Sequence, residues 1–240
     1  MNLPLPGKRP PSDAERLAAM GLKAEIFETA ARVHLADYFS CTENDPPTFP
    51  PTAAWAGGNR SLREQLVVVS VQGLKKRWKK VNERNQPLVV NENGTMAITA
   101  LSGDEKTGTD ETPSTRSPKG RVTAEAVEVN YEQQQTQFDF MGDGEDPAAV
   151  MESSKEKPER ILWIFLIHRD FKKRELRSEL SRPLEMSEDG FIDRWGTRIV
   201  FPPIPFGDAD NGNINNPDNP NTGNDDGGQS PEITVQIRKL

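Results

Sequence analysis

The apolar residues between positions 12 and 39 recur at the spacing of an α-helix. Ser12 and Glu15 have the form of a capping box, in which each side chain accepts from the other residue's backbone amide. We therefore predict a helix over 12–39 with one buried face, which Gly21 weakens or breaks. The buried face is formed by Leu17, Met20, Ala24, Phe27, Ala31, Leu35 and Tyr38.

A second capping-box pattern, from Ser61 to Glu64, predicts a helix over 61–84. The segment before it, 42–58, contains four prolines, which are unfavourable inside a helix or a central strand. We expect this segment to be an extended connector that Phe49 and Trp55 anchor to the body. The apolar face of the second helix is formed by Leu62, Leu66, Val69, Leu74, Trp78 and Val81.

The remaining apolar runs indicate strands. Asn93-Gly94, between 88–90 and 96–98, is the strongest short signal for a hairpin, because both turn positions need a positive φ. Residues 161–167 are continuously apolar and predict a central strand. With a second hairpin at Asp189-Gly190, residues 160–201 form a three-stranded antiparallel meander. A short helix is expected over 122–133, and 232–240 alternates like one more strand.

These elements predict an α+β fold, in which a mostly antiparallel sheet built from 88–101, 160–201 and 232–240 packs against the two main helices. Residues 1–11 are expected to be a disordered lead, followed by a single domain over 12–240. The low share of apolar residues, 34%, indicates that part of the chain lies outside the core. The segments expected to be flexible loops are 42–58, 102–120, 141–159 and 207–231.

Charge and composition narrow the classes of function. The net charge of −7 argues against a general affinity for nucleic acid, although a local basic patch remains possible. The single cysteine, Cys41, excludes an intramolecular disulfide and a cysteine-based zinc site. We expect no cofactor. We also expect no membrane span, since no apolar run reaches about 20 residues. Because the sequence shows no signal peptide, we expect a cytoplasmic location.

The segment Gln135-Thr136-Gln137-Phe138-Asp139-Phe140 has the form Gln-x-x-(large apolar)-x-Phe. It resembles the short peptide motif by which many bacterial DNA polymerases and repair proteins hold the replication sliding clamp. The resemblance implies that Gln135 contacts the rim of a pocket on the partner and that Phe138 and Phe140 fill it. Phe138 departs from the motif, in which leucine is commoner. The alternative is that both phenylalanines cover an edge of the core.

Two further groups of charged residues are candidates. Four lysines, Lys75, Lys76, Lys79 and Lys80, surround Trp78 in the sequence. Such a combination can contact phosphates and stack on a base. The alternative is that Trp78 belongs to the core and the lysines to a solvated face. Glu175, Glu179 and Asp193 could hold a divalent metal on a sheet face, or they pair with arginines across strands. His168-Arg169-Asp170 is expected to be the polar end of a strand.

Two classes of function follow. The favoured one is a non-catalytic interaction protein that presents short motifs to a larger protein, in a DNA-transaction assembly of the sliding-clamp type. The alternative is a metal-dependent hydrolase or nuclease that uses the sheet carboxylates. Convergence of Glu175, Glu179 and Asp193 in one cleft would favour the second class, and pairing with arginines would count against it.

Overall fold

A computed structural model describes residues 9–71, 78–140 and 160–207, and it confirms the predicted α+β fold. The expected strand at 232–240 and the expected loop 141–159 lie outside these ranges. Residues 1–8 of the expected disordered lead and 208–231 of the low-complexity stretch also lie outside them. The helices are α1 (Asp13–Met20), α2 (Ala24–Phe39), α3 (Phe49–Val71) and α4 (Arg121–Phe140). The strands are β1 (Trp78–Glu83), β2 (Gln86–Asn91), β3 (Met96–Ser102), β4 (Ile161–Asp170), β5 (Glu175–Met186), β6 (Ile192–Val200) and β7 (Ile204–Pro205).

The first predicted helix forms as two helices, α1 and α2. The Ser12 hydroxyl accepts from the Glu15 amide at 3.3 Å, and the Glu15 carboxylate accepts from the Ser12 amide at 2.7 Å, so the capping box is present. Gly21 ends α1 in the left-handed conformation, with φ 71°. Gly21 therefore breaks the helix, one of the two outcomes that the sequence allowed.

The predicted boundaries of the second helix are wrong at both ends. Helix α3 begins at Phe49, inside the predicted connector, because Pro50 and Pro51 fall in its first turn, where an amide has no partner within the helix. Of the two predicted anchors, Phe49 is 47% exposed and Trp55 is half-buried. Ser61 is buried in the middle of α3 rather than capping its start.

Residues 78–84, predicted to end that helix, form strand β1 and the start of a turn. Arg84 and Asn85 both have positive φ, 46° and 69°, which is the geometry of a two-residue hairpin turn. Trp78 is buried on one side of β1, whereas Lys79 and Lys80 are exposed. The interpretation of Trp78 as a core residue is confirmed.

The sheet is mostly antiparallel, in the order β1-β2-β3-β4-β5-β6, with β7 pairing the first residues of β5. Both predicted hairpins and the 160–201 meander are confirmed. The central pair β3–β4 is parallel, and α4 lies on the crossover between them. Among the described residues, no helix is both long and apolar enough to cross a membrane.

The sheet lies between two helical layers. On one face, α1, α2 and α3 cover a large core in which Phe27 lies 5.1 Å from both Phe165 and Phe201, measured between ring centroids. On the other face, α4 covers a smaller core through Val127, which packs with Leu162 and Ile164. Because both faces of the sheet are covered, the strands carry apolar runs rather than a strict alternation.

Two of the prolines in the described strands, Pro87 of β2 and Pro183 of β5, are each compensated by a buried asparagine. Continued two residues beyond the last paired positions, the register brings Pro87 opposite Ala100 and Pro183 opposite Leu162. A proline has no amide to donate to a partner strand. The side chain of Asn59, on α3, bonds both the amide and the carbonyl of Ala100, at 3.1 and 3.0 Å.

On the opposite face, Asn130 of α4 does the same for Leu162, at 2.9 and 2.8 Å. A second bond from Asn130 reaches the Pro183 carbonyl at 2.9 Å. The two asparagines therefore satisfy strand groups that would otherwise be buried without a partner, and they attach a helix to each face of the sheet.

Candidate functional site

The loop 103–120 covers the face of β5 and β6 that carries the candidate carboxylate Glu179. The Glu179 side chain is fully buried beneath this loop. Its Oε1 accepts from the Ser181 hydroxyl at 2.6 Å and from Arg198 Nε at 3.0 Å. Its Oε2 accepts from Arg198 Nη2 at 2.5 Å and from the Gly108 amide at 2.8 Å. Both oxygens are thus occupied by donors from the protein itself.

Arg198 also binds the backbone of the loop 103–120. Arg198 donates to the Glu111 carbonyl at 2.8 Å and to the Thr109 carbonyl at 2.9 Å. Arg177, also buried, donates to the Glu105 carbonyl at 2.8 Å and to Asp170 at 3.0 Å. Residues 103–120 therefore form a loop without regular strands or helices, close to the predicted 102–120, but the buried Arg177 and the half-buried Arg198 fix its backbone to the sheet.

The three candidate carboxylates do not converge. Glu175 lies at the first position of β5, 3.7 Å from Arg177 Nε, whereas Asp193 is exposed at the far end of the β5–β6 hairpin. Within the ranges 9–71, 78–140 and 160–207, no group of three His, Cys, Asp or Glu residues is placed to hold a metal ion. Glu179 makes the cross-strand pair with an arginine that was the alternative to a metal site, whereas Glu175 lies beside Arg177 of its own strand.

A cleft of about 750 Å³ lies at the carboxyl ends of the parallel strands β3 and β4. Ligands of open α/β sheets commonly bind at such a position. The cleft is lined by residues from the loop 103–120, the end of β4, the turn after β4 and the β5–β6 turn. They include Asp104, Arg116, His168, Asp170, Lys172 and Phe191. Acidic and basic side chains are interleaved, so the lining does not favour one charge of ligand.

His168 is half-buried in this cleft. Burial lowers the pKa of His168, and the nearby positive charge of Arg177 lowers it further, while a hydrogen bond to the Gly103 backbone and the charge of Asp170 act in the opposite direction. Asp170 accepts from the amides of Lys172 and Lys173, both at 3.0 Å. The triplet His168-Arg169-Asp170 is therefore a polar strand end, as predicted, whose aspartate closes the following turn.

On the other side of the strand end, Arg169 is buried against α2. Its guanidinium lies 2.5 Å from His34 Nε2 and 4.2 Å from the centre of the Tyr38 ring, a cation–π contact. Burial lowers the pKa of His34 well below 6.5, and the charge of Arg169 adds to the effect. His34 is thus a neutral histidine that accepts from Arg169, which links α2 to β4.

The candidate docking residues lie at the end of α4. Gln135 is exposed, and its Nε2 donates to the Tyr131 hydroxyl at 2.8 Å. The backbone of α4 is helical through positions 138 and 140, which extends the short helix predicted over 122–133. The part of the prediction that depends on how those two side chains pack stays untested.

The basic candidate divides between described and undescribed residues. Lys79 and Lys80 are exposed on β1, and Lys75 and Lys76 lie outside the described ranges. Because Trp78 is 4% exposed, it cannot stack on a base without leaving the core. Phosphate contact through these lysines stays a prediction, and a stacking role for Trp78 is not supported.

Two polar residues that join distant parts of the fold, Asn59 and Asn130, were not candidates in the sequence, whereas Arg198 was considered as part of the charged face of β5 and β6. Asn59, Asn130 and Arg198 each bond backbone groups distant along the chain. One signal was available, since prolines inside otherwise strand-like runs leave amide partners missing on the neighbouring strand. Nothing local in the sequence identifies which asparagine supplies the missing bonds.

Comparison with known proteins finds no matching family model, no similar curated protein and no similar solved structure. The functional conclusion therefore depends on the geometry of this chain alone.

Proposed function

We propose that this chain is a non-catalytic interaction protein that docks on a larger protein through residues 135–140. A cytoplasmic location, and a partner of the sliding-clamp type in a DNA-transaction assembly, belong to this proposal. The observation that carries it is the position of the motif. Asn130 is the last described buried residue of α4, Gln135 is exposed, and the helix then runs on to Phe140.

Docking in the manner of the clamp motif requires the end of α4 to change. Successive residues of an α-helix are about 100° apart around its axis, so positions 138 and 140 are separated by roughly 200°. Two side chains on opposite sides of a helix do not enter one pocket. The last turn must therefore unwind on binding, and Gln135 must exchange its bond to Tyr131 for the partner's rim.

A helix end is suited to such a change. Terminal turns have carbonyls without helical partners, and they open at low free-energy cost compared with the core. The motif 135–140 thus follows directly on a part of α4 that Asn130 holds to the sheet. Its terminal turn can adopt an extended form. We expect the affinity to include the cost of unwinding that turn.

No observation favours the hydrolase alternative to the same degree. A metal ion at Glu179 would have to displace Arg198, Ser181 and the Gly108 amide from a fully buried carboxylate. Removing those donors would also free the loop 103–120 from the sheet. The proposal therefore assigns this network to the stability of the fold.

The proposal is tested by affinity capture from a nuclease-treated lysate with three baits, read by quantitative mass spectrometry. The baits are the native chain, Phe138→Ala/Phe140→Ala, and a control, Glu128→Ala, on an exposed position of the same helix. We expect one protein to be enriched by the native and control baits and lost with the double variant. Recovery of the same proteins by all three baits would reject the docking role of 135–140.

A further inference from the structure

Strand β6 is the last strand in the order of the described sheet, so its outer side is not paired by another described strand. The Phe201 amide donates to the Ser178 carbonyl at 3.0 Å, and bonded pairs alternate with non-bonded pairs in an antiparallel ladder. Leu180 and Ile199 are therefore the next bonded pair. It follows that the amides and carbonyls of Arg198 and Val200 face away from β5, toward the open side of the sheet.

Other parts of the sheet edge are protected. Beyond Val200, the same edge carries Pro202, Pro203 and Pro205, which have no amide to donate. At the opposite edge, β1 presents the exposed side chains of Lys79 and Lys80, and such charges discourage pairing. The two neighbours of Val200 in the chain, Ile199 and Phe201, are neither charged residues nor prolines, and Val200 itself is 39% exposed.

The chain itself contains a segment suited to this edge. Residues 233–237, Ile-Thr-Val-Gln-Ile, alternate apolar and polar side chains, as a half-buried strand does. Arg238 and Lys239 follow them. At the β1 edge they would meet two exposed lysines, Lys79 and Lys80, whereas β6 exposes one acidic and one basic residue, Asp193 and Arg194. Of the two edges, β6 is therefore the better match in charge.

The connecting chain is long enough to reach. The described chain ends at Gly207, directly after β7, on the same side of the sheet as β6. A flexible linker of the length of 208–232 has a typical end-to-end distance of roughly 25–30 Å, close to the length of β6 at about 3.3 Å per residue. Such a tether gives an effective concentration on the order of millimolar.

We propose that residues 233–237 add to β6 as a further strand of the same sheet. This contact would supply backbone partners to Arg198 and Val200 and cover the exposed Val200 side chain. It is independent of the docking function of 135–140, since it concerns a different segment of the chain and another part of the fold.

The test is amide hydrogen exchange of the full chain, resolved at single residues by NMR. Arg198 and Val200 report on the outer side of β6, and Ile199, bonded toward β5, is the internal reference. Val235→Pro removes an amide in the middle of the proposed strand, and Asn213→Pro places the same change in the low-complexity stretch as a control.

We expect Arg198 and Val200 to be protected in the native chain and in the control. In Val235→Pro their exchange should accelerate by on the order of tenfold or more while that of Ile199 changes little. Fast exchange in the native chain, or equal protection in Val235→Pro, would overturn the proposal. Protection that increases with protein concentration would overturn it as well, because the edge would then pair with a second copy.

Discussion

Glu179 and Glu185 each pair with an arginine of β6, but in different surroundings. The Glu179 side chain is fully buried, whereas the side chains of Glu185 and Arg194 are 44% and 56% exposed. Breaking a buried pair leaves an uncompensated charge, which costs about 3–5 kcal/mol, while an exposed pair contributes about 0–1 kcal/mol.

The first prediction compares the two carboxylates by neutral substitution. Glu179→Gln should lower the free energy of unfolding by about 3–5 kcal/mol, and Glu185→Gln by less than about 1 kcal/mol, both measured by urea denaturation. Equal and small effects of the two changes would show that Glu179 does not hold the loop 103–120 to the sheet.

The second prediction concerns His34, whose folded pKa lies well below 6.5 because of burial and the charge of Arg169. Below pH 6.5 the unfolded chain binds a proton that the folded chain does not, so the free energy of unfolding must fall as the pH decreases toward the folded pKa. Above pH 6.5 this contribution to stability is complete.

Unfolding measured between pH 7.5 and 5.5, a range set roughly by the ordinary histidine pKa, separates the two histidines. His34→Gln should flatten the loss of stability at acidic pH, and His168→Gln should flatten it less, since His168 is only half-buried. The same slope in His34→Gln as in the native chain would contradict the assignment of a neutral, buried His34.

At the scale of elements, two helices are attached to the sheet opposite its prolines. Asn130→Ala would leave the amide and carbonyl of Leu162 without their side-chain partner, at a cost of about 1–3 kcal/mol for each buried group. We therefore predict a strong loss of stability from this single change.

The control is a second-site change in the neighbouring strand. Pro183→Ala adds an amide at the position that the continued β4–β5 register brings opposite Leu162. The double variant Asn130→Ala/Pro183→Ala should therefore recover part of the loss, as measured by a double-mutant cycle. Strictly additive effects in this cycle would show that Asn130 does not replace the missing strand bond.

The elements that the sequence predicts well are those whose patterns have one interpretation. The apolar run 161–167 and the Asp189-Gly190 turn define the meander, and the capping box at Ser12 defines the start of α1. The pattern at 74–81 was interpreted as helical from the spacing of Leu74, Trp78 and Val81. In the structure, Arg84 and Asn85 form a hairpin turn instead. The turn prevails, and β1 forms.

At the scale of the whole molecule, the candidate site was predictable only in part. Cross-strand pairing of Glu179 with an arginine was one of the alternatives, but its full burial depends on a loop 71 positions away along the chain. Pairs such as His34–Arg169, separated by 135 positions, depend on how α2 packs on β4. Periodicity within a short window carries no information on such contacts.

The central claim for the whole molecule is that residues 135–140 dock on a partner of the sliding-clamp type. The most direct test is a calorimetric titration of the native chain and of Phe138→Ala/Phe140→Ala with a purified bacterial sliding clamp. The account predicts binding by the native chain that the double variant weakens by at least about 30-fold, because buried aromatic anchors contribute about 2 kcal/mol or more. No binding by the native chain, or equal binding by both, would contradict it.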